Sequence, residues 1–316
     1  MHARGKQIME YIRDLSSAVS DGPCAVTLGK FDGVHRGHRK LIAKIHELAR
    51  KNGWKTAVFT FDVAPQIFMG ERAQKLLNTN SERAEIMREL NVDILIECPF
   101  TEELKSMEAD EFVRRILVEK LHARAVVAGT DFHFGRNRGG SPEFLQKAGS
   151  EYGFETIIMD KEKDGDRDIS STYIREELAK GNVRKVRELL GYPYFIAGEV
   201  IHGRHLGHSL GFPTINQVPA PEKMLPPNGV YFSQTRVGGQ TYQGISNIGV
   251  KPTVHGDSMG IETYLFDCSL DLYGQNARVE LLDFRRPEIR FDSLKELKAQ
   301  IDRDINAADL FFQPPE

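Results

Sequence analysis

Residues 24–38 read CAVTLGKFDGVHRGH, an apolar run that ends in a glycine-rich loop holding His35 and His38. Residues 24–28 form a short, continuous apolar segment, as a strand buried on both faces does. From 39 to 51, Leu41, Ile42, Ile45, Leu48 and Ala49 fall on one helical face. Gly53 ends that helix, and TAVFTF at 56–61 reads as a second buried strand. Two strands joined by a crossover helix predict parallel pairing. The histidine loop then lies beyond the carboxyl ends of the strands, where sheets of this kind bind ligands.

The same rhythm continues outward. Thr79 followed by Glu82 reads as a capping box at a helix start. Strands are expected at 92–97, 124–128 and 154–159, and helices at 108–121, 141–152, 171–180 and 183–190. The expected fold is a doubly wound α/β domain. After Gly191-Tyr192-Pro193 the pattern changes to short β-rich runs at 195–201, 230–237, 241–248, 261–266 and 277–284. Their glycine-broken spacing predicts an antiparallel sandwich or barrel. A closing helix at 293–311 carries Leu294, Leu297, Ile301 and Ile305 on one face and is expected to cover an opening or edge of that barrel. The boundary falls within 181–195, giving domains at 1–190 and 191–316.

The balance of 40% hydrophobic and 28% charged residues in 316 suits a globular protein of two ordinary domains. A formal net charge of −3 argues against a broad nucleic-acid footprint. Cys24, Cys98 and Cys268 form no CxxC pair, which fits a reducing compartment. No stretch approaches the roughly 18 apolar residues of a membrane span. The expectation is a cytoplasmic protein with small-molecule substrates and neither nucleic-acid nor membrane partners.

Taken alone, His35 and His38 read as loop histidines without chemistry, as half of a metal site, or as donors to phosphate oxygens. Gly29, Gly33 and Gly37 allow close approach of a ligand, and a helix start near Gly37 favours an anion. No P-loop and no dinucleotide fingerprint is present. Two further stretches fall in strand-to-helix loops on the same edge: GTDFHFGRNR at 129–138 and ISSTYIR at 169–175. The latter offers hydroxyls, helix-start amides and a guanidinium, although Ser170-Ser171-Thr172 alone would read as an N-cap cluster.

Together, GKFDGVHRGH, GTDFHFGRNR and ISSTYIR resemble the nucleotidyltransferase module of the bacterial bifunctional riboflavin kinase/FMN adenylyltransferase (FAD synthetase) family. The resemblance implies a Rossmann-like domain that joins ATP and FMN into FAD and pyrophosphate, with Mg²⁺ bridging the phosphates. It implies that His35 and His38 stabilise the ATP phosphates, and that Gly29, Phe31 and Asp32 belong to the same phosphate loop. Ser170, Ser171, Thr172 and Arg175 match the second phosphate motif, and Gly129 and Asp131 the nucleotide- and flavin-side loop. The family usually carries F-x-P-H-P after the second strand. Here Phe61-Asp62-Val63-Ala64-Pro65 stands instead, leaving Phe61 and Pro65 to shape the flavin pocket.

In the second half, HGRHLGHSLGFPTIN at 202–216 spaces His202, His205 and His208 by three, which invites a metal. Its glycines read better as backbone wrapped around a ligand. GFPTIN at 211–216, NIGVKPT at 247–253 and IETYLFD at 261–267 resemble the riboflavin kinase segments of the same family. The resemblance implies a β-barrel in which Thr214 and Asn216 hold Mg²⁺ with ATP. Glu262 is then the base that takes the proton from the riboflavin 5′-hydroxyl. His208 and Lys251 stand where the family commonly has arginine.

The expected function is conversion of riboflavin to FMN and of FMN to FAD. Rivals are an FMN adenylyltransferase with a silent kinase barrel, a kinase whose altered Val63-Ala64 loop cripples adenylyl transfer, a non-enzymatic flavin sensor, and a nucleotidyltransferase for another phosphate compound.

Overall fold

The computed structural model describes residues 8–16, 20–63, 74–203, 212–253 and 256–313, leaving aside the side chains of 251–258. By its internal contacts the chain divides into two compact units, Met1–Ser171 and Thr172–Glu316.

The first unit is built on six parallel strands: β1 (Glu10–Ile12), β2 (Cys24–Leu28), β3 (Lys55–Phe61), β4 (Ile94–Cys98), β5 (Ala123–Gly129) and β6 (Glu155–Met159). They lie in the order β1-β4-β3-β2-β5-β6. Every residue of β2 is buried, as expected for a strand covered on both faces. From β2 the chain steps outward through β3 and β4, then returns to place β5 on the other side of β2. The order therefore reverses between β2 and β5, and the crevice at such a reversal is where doubly wound sheets bind ligands.

The crossover helix runs Arg36–Asn52, three residues earlier than the apolar face predicts, because His35 caps it and accepts from the His38 amide at 3.4 Å. Gly53 ends it in the left-handed conformation at φ 73°. The capping box at Thr79 and Glu82 is present and opens the helix Asn80–Glu89. The helix expected at 108–121 is wound normally over Ala109–Phe112 and as a π-helix over Val113–Lys120. β1 escaped the sequence reading because three residues carry no period. The two-residue strands β7 (Lys163–Asp164) and β8 (Arg167–Asp168) escaped it too, and Gly165 at φ 60° turns between them.

The second unit is a six-stranded antiparallel sheet of β9 (Tyr194–Glu199), β10 (Thr214–Gln217), β11 (Gly229–Val237), β12 (Gln240–Thr253), β13 (Gly256–Leu265) and β14 (Asn276–Arg286). Its order is β10-β13-β12-β11-β14-β9. Just beyond β9, the Ile201 amide donates to the Asn216 carbonyl at 2.8 Å, so the sheet curls round from its last strand to its first. One face carries a chain of buried hydroxyls, with Ser246 bonded to Ser233 at 2.8 Å and to Thr263 at 2.7 Å.

The helices Ser171–Ala179 and Val183–Leu190 belong from Thr172 onward with this second unit. Val183, Val186, Leu189 and Leu190 are buried, and their helix packs on β9 and β14. The closing helix, Leu294–Phe312, packs through Ile305, Ala308, Phe311 and Phe312 against Val230, Phe232 and Ile245. Leu294 is 62% exposed, so the expected apolar face applies to the helix's second half alone. Its phase is set by the buried Asp304, which accepts from Arg286 Nε at 2.8 Å.

Candidate active sites

In the first unit, the loop after β2 folds tightly because its side chains are buried. Phe31 and Val34 are fully buried yet hold positive φ of 47° and 36°, and Gly33 lies at 88°. Such backbone costs about 1–3 kcal/mol per non-glycine residue and persists where surrounding packing over-determines it, often at functional sites. Gly29 and Gly37 serve another purpose: a Cβ at either would press within 3.2 Å of the rings of Phe31 and His35, respectively.

The two imidazoles stack with centroids 3.7 Å apart and a tilt of 21°, and Phe31 packs on His38 at 5.0 Å. Because His35 Nδ1 accepts the His38 amide, its proton resides on Nε2, which remains a donor. Burial pushes His35 down to about 4, against a weaker opposing pull from the Asp131 carboxylate. Burial also holds His38 well below its ordinary value, helped by its stacking on His35, which disfavours a second charge, and by the nearby Arg83 guanidinium. Both rings are therefore neutral near pH 7. His38 Nδ1 is buried with no hydrogen-bond partner among the described residues, an atom that calls for a ligand or water.

The other matched loops converge on this one in part. Ser171 Oγ donates to the Asp32 carbonyl at 2.8 Å, bringing the Ser171 hydroxyl onto the histidine loop. The Asp32 carboxylate accepts from the Leu77 amide at 2.9 Å and the Asn78 amide at 3.4 Å, which ties the loop to the chain ahead of Thr79. Gly129 ends β5, and Asp131 is paired with Lys161 at 3.1 Å. Ser170 directly precedes the helix Ser171–Ala179, and Thr172 and Arg175 lie on it within the second unit. Phe61, at the end of β3, meets Phe59 and Phe100 edge-on at 5.4 and 5.0 Å, part of an aromatic floor rather than of the histidine cluster. Pro65 and Ala64 lie outside the described residues.

A buried ion pair beneath this loop was missed by the sequence reading. Arg83, 4% exposed at its side chain, is bonded to the fully buried Glu97, which also receives the Tyr11 hydroxyl. Arg83 further donates to the carbonyls of Lys30 at 3.3 Å and Phe61 at 3.0 Å. One guanidinium thus ties the end of β3 to the start of the loop after β2. A charged pair inside an amphipathic pattern carries no sequence signal of burial.

In the second unit, Thr214 Oγ1 donates to Glu262 Oε1 at 2.8 Å. Asn216 lies directly opposite Glu262 across β10 and β13. A hydroxyl, an amide oxygen and a carboxylate thus share one sheet face, a donor set of hard oxygens suited to Mg²⁺. Gly203 backs onto Asn216 so closely that a Cβ would collide with its amide. The His202 ring stacks on Tyr273 at 3.7 Å. His205, His208 and the Lys251 side chain lie outside the described residues. Among the described residues no cluster of three or more His, Cys, Asp or Glu side chains could hold a metal, and no helix is long and apolar enough to cross a membrane.

Comparison with known proteins bears on both units. Residues 17–173 match the FAD synthetase family model and residues 190–312 the riboflavin kinase model. The bifunctional riboflavin kinase/FMN adenylyltransferase of Escherichia coli K12 is 39% identical over 308 residues, covering 97% of this chain and 98% of its own. The protein of the same name from Pseudomonas fluorescens is 40% identical, covering 92% of this chain and 94% of its own. Among solved structures, a Streptococcus pneumoniae protein described as a macrolide-efflux protein is 30% identical with a TM-score of 0.84, covering 96% of this chain and 99% of its own. The paired site loops and the near full-length similarity agree, and the chain belongs to the bifunctional riboflavin kinase/FMN adenylyltransferase family.

Proposed function

We propose that this chain makes FAD in two steps. Residues 191–316 phosphorylate riboflavin to FMN with ATP, and residues 1–190 adenylylate FMN, releasing pyrophosphate. The observation that carries the reading is that each half keeps an assembled reacting centre: the stacked His35 and His38 in one, the Thr214–Glu262 hydrogen bond in the other.

In the kinase step, Glu262 takes the proton of the 5′-hydroxyl as that oxygen attacks the γ-phosphorus and ADP departs. Thr214 orients the carboxylate through its 2.8 Å bond. Thr214 and Asn216 are the residues that would hold Mg²⁺ with ATP, where the ion would neutralise charge developing on the phosphates.

In the adenylyl step the FMN phosphate is itself the nucleophile at the α-phosphorus, so the protein supplies position and charge stabilisation rather than a covalent intermediate. His35 Nε2–H and the His38 ring donate to phosphate oxygens from a dry setting. Gly29, Phe31 and Asp32 shape the loop that holds them, and Ser170, Ser171, Thr172 and Arg175 form the second phosphate cradle. Phe61, Pro65, Gly129 and Asp131 border the flavin. A cytoplasmic location accords with the reduced, unpaired cysteines.

A chromatographic assay with Mg-ATP tests the reading. Riboflavin should yield FMN and then FAD. FAD from supplied FMN, with none of either product from riboflavin, would restrict the function to adenylyl transfer.

A further inference from the structure

Glu262 has a neighbour on each flank. Asn216 of β10 faces it on one side, and Asn247 of β12 faces it on the other. Directly opposed residues project to the same face of a sheet with Cβ atoms about 5 Å apart. The row across the sheet therefore reads Asn216, Glu262, Asn247, Val230. The Asn247 Oδ1 is buried and has no hydrogen-bond partner among the described residues. A buried carbonyl oxygen without a donor is uncommon and costly, and beside a reacting carboxylate it points to a ligand group.

The register also says which ligand. Asn216 and Asn247 stand two strand spacings apart, about 10 Å. A Mg²⁺ ion with ligands at roughly 2.1 Å gathers oxygens within roughly 4 Å of each other, and Glu262 stands between the two amides. Asn247 is therefore not on the metal and phosphate side. It lies on the opposite flank of the base, where the accepting alcohol must approach for the transferred phosphoryl group to pass between donor and acceptor. Further along β12 on the same face, Gly249 has no side chain, and a Cβ there would collide with the Glu288 carboxylate. Glu288 in turn accepts from Asn228 Nδ2 at 3.2 Å. On this flank the Asn247 Oδ1 and the Glu288 carboxylate are oxygen acceptors, the complement of hydroxyl donors, beside the apolar Val230.

We infer that Asn247 is a specificity-determining residue of the kinase half, its Oδ1 accepting a hydrogen bond from a secondary hydroxyl of the polyol substrate and so presenting the terminal hydroxyl to Glu262. The inference rests on the kinase reading of this site. A pocket that hydrogen-bonds a substrate hydroxyl rejects the analogue lacking it, because the buried acceptor is then left unpaired. An Asn247→Ala protein has no acceptor to leave unpaired.

The test compares native protein with Asn247→Ala and Asn247→Asp, the latter keeping an oxygen acceptor, on riboflavin and on analogues deoxygenated singly at the 2′, 3′ or 4′ carbon. With riboflavin, Asn247→Ala should lose about tenfold or more in kcat/KM, and Asn247→Asp should recover part of it. With one of the three analogues the native and Asn247→Ala proteins should agree within about twofold. Equal loss on riboflavin and all three analogues would overturn the assignment, as would no loss on riboflavin. An unchanged thermal melt certifies the folding of each variant's kinase half, because FAD formation from FMN reports on the other half alone. Failure of the native protein to phosphorylate riboflavin at all would remove the kinase reading, and this inference with it, and is distinguishable from loss confined to the variant.

Discussion

The His35 and His38 imidazoles lie 3.7 Å apart, nearly parallel, with the His38 amide bonded back to His35 Nδ1. Each ring thus packs on and helps to orient the other. Substituting His38 by Ala removes both the second donor and the stack that orients the first. FAD formation from FMN should fall by about 10² or more, as for loss of one preorganised donor to a developing anion, while FMN formation from riboflavin stays within about twofold. Single-turnover rates of the two reactions on one preparation check this.

The same burial makes a pH prediction. The folded-state pKa of His35, about 4, lies below its ordinary value of 6.5. The unfolded chain therefore binds more protons between those values, and stability must rise with pH across that window. Acidification from about pH 6.5 to 4 should remove up to a few kcal/mol, and His35→Gln should flatten that slope. Urea midpoints measured at half-unit pH intervals give the answer. An unchanged slope in His35→Gln would mean that His35 is not the titrating group.

Arg83 and Glu97 form a pair that is expensive to break singly. Arg83→Met leaves the Glu97 carboxylate buried without its cation and releases the carbonyls of Lys30 and Phe61. A loss of about 3–5 kcal/mol is expected, with adenylyl transfer reduced and the kinase half unaffected. The double variant Arg83→Met, Glu97→Met should recover much of the stability but not the adenylyl rate, because the carbonyls of Lys30 and Phe61 still lack the guanidinium that joins them. Thermal melts alongside both assays separate the two effects.

At the kinase centre, Glu262→Gln keeps a hydrogen-bonding group for Thr214 but cannot accept the substrate proton. Its kcat should fall by about 10² or more with KM nearly constant, the range of general-base catalysis. Thr214→Val loses the 2.8 Å bond and one hard oxygen, so its defect should show in the Mg²⁺ and ATP concentration dependence as well as in kcat. Steady-state kinetics at varied Mg²⁺ distinguish them.

Much of this was legible in the sequence, for reasons that differ by element. β2 shows in the sequence as a short continuous apolar run and the helix after it by its helical period and the Gly53 stop, whereas the cap at His35 emerged only in the fold. The loops that hold His35, Asp131 and Ser170 follow strands in the order the sequence predicts, whereas Glu262 lies within β13 and Asn216 within β10. Glu10–Ile12 is too short to show a period, and its place at the sheet edge comes from pairing with β4, a long-range event. Arg83 and Glu97 look like ordinary surface charges until the fold buries both. Asn247 stood inside a matched stretch, yet its relation to Glu262 depends on the register of three strands. The phase of the closing helix likewise followed from Arg286 reaching Asp304, a contact no local pattern encodes.

If the two steps run at two separate centres, FMN released by one molecule can serve the adenylyl centre of another. Complementation measures this: His38→Ala protein, Glu262→Ala protein and an equimolar mixture of both, each given riboflavin and Mg-ATP. The account predicts FMN but scarcely any FAD from the first, neither product from the second, and FAD from the mixture. No FAD from the mixture, although the first protein still makes FMN and the second still converts supplied FMN, would contradict it.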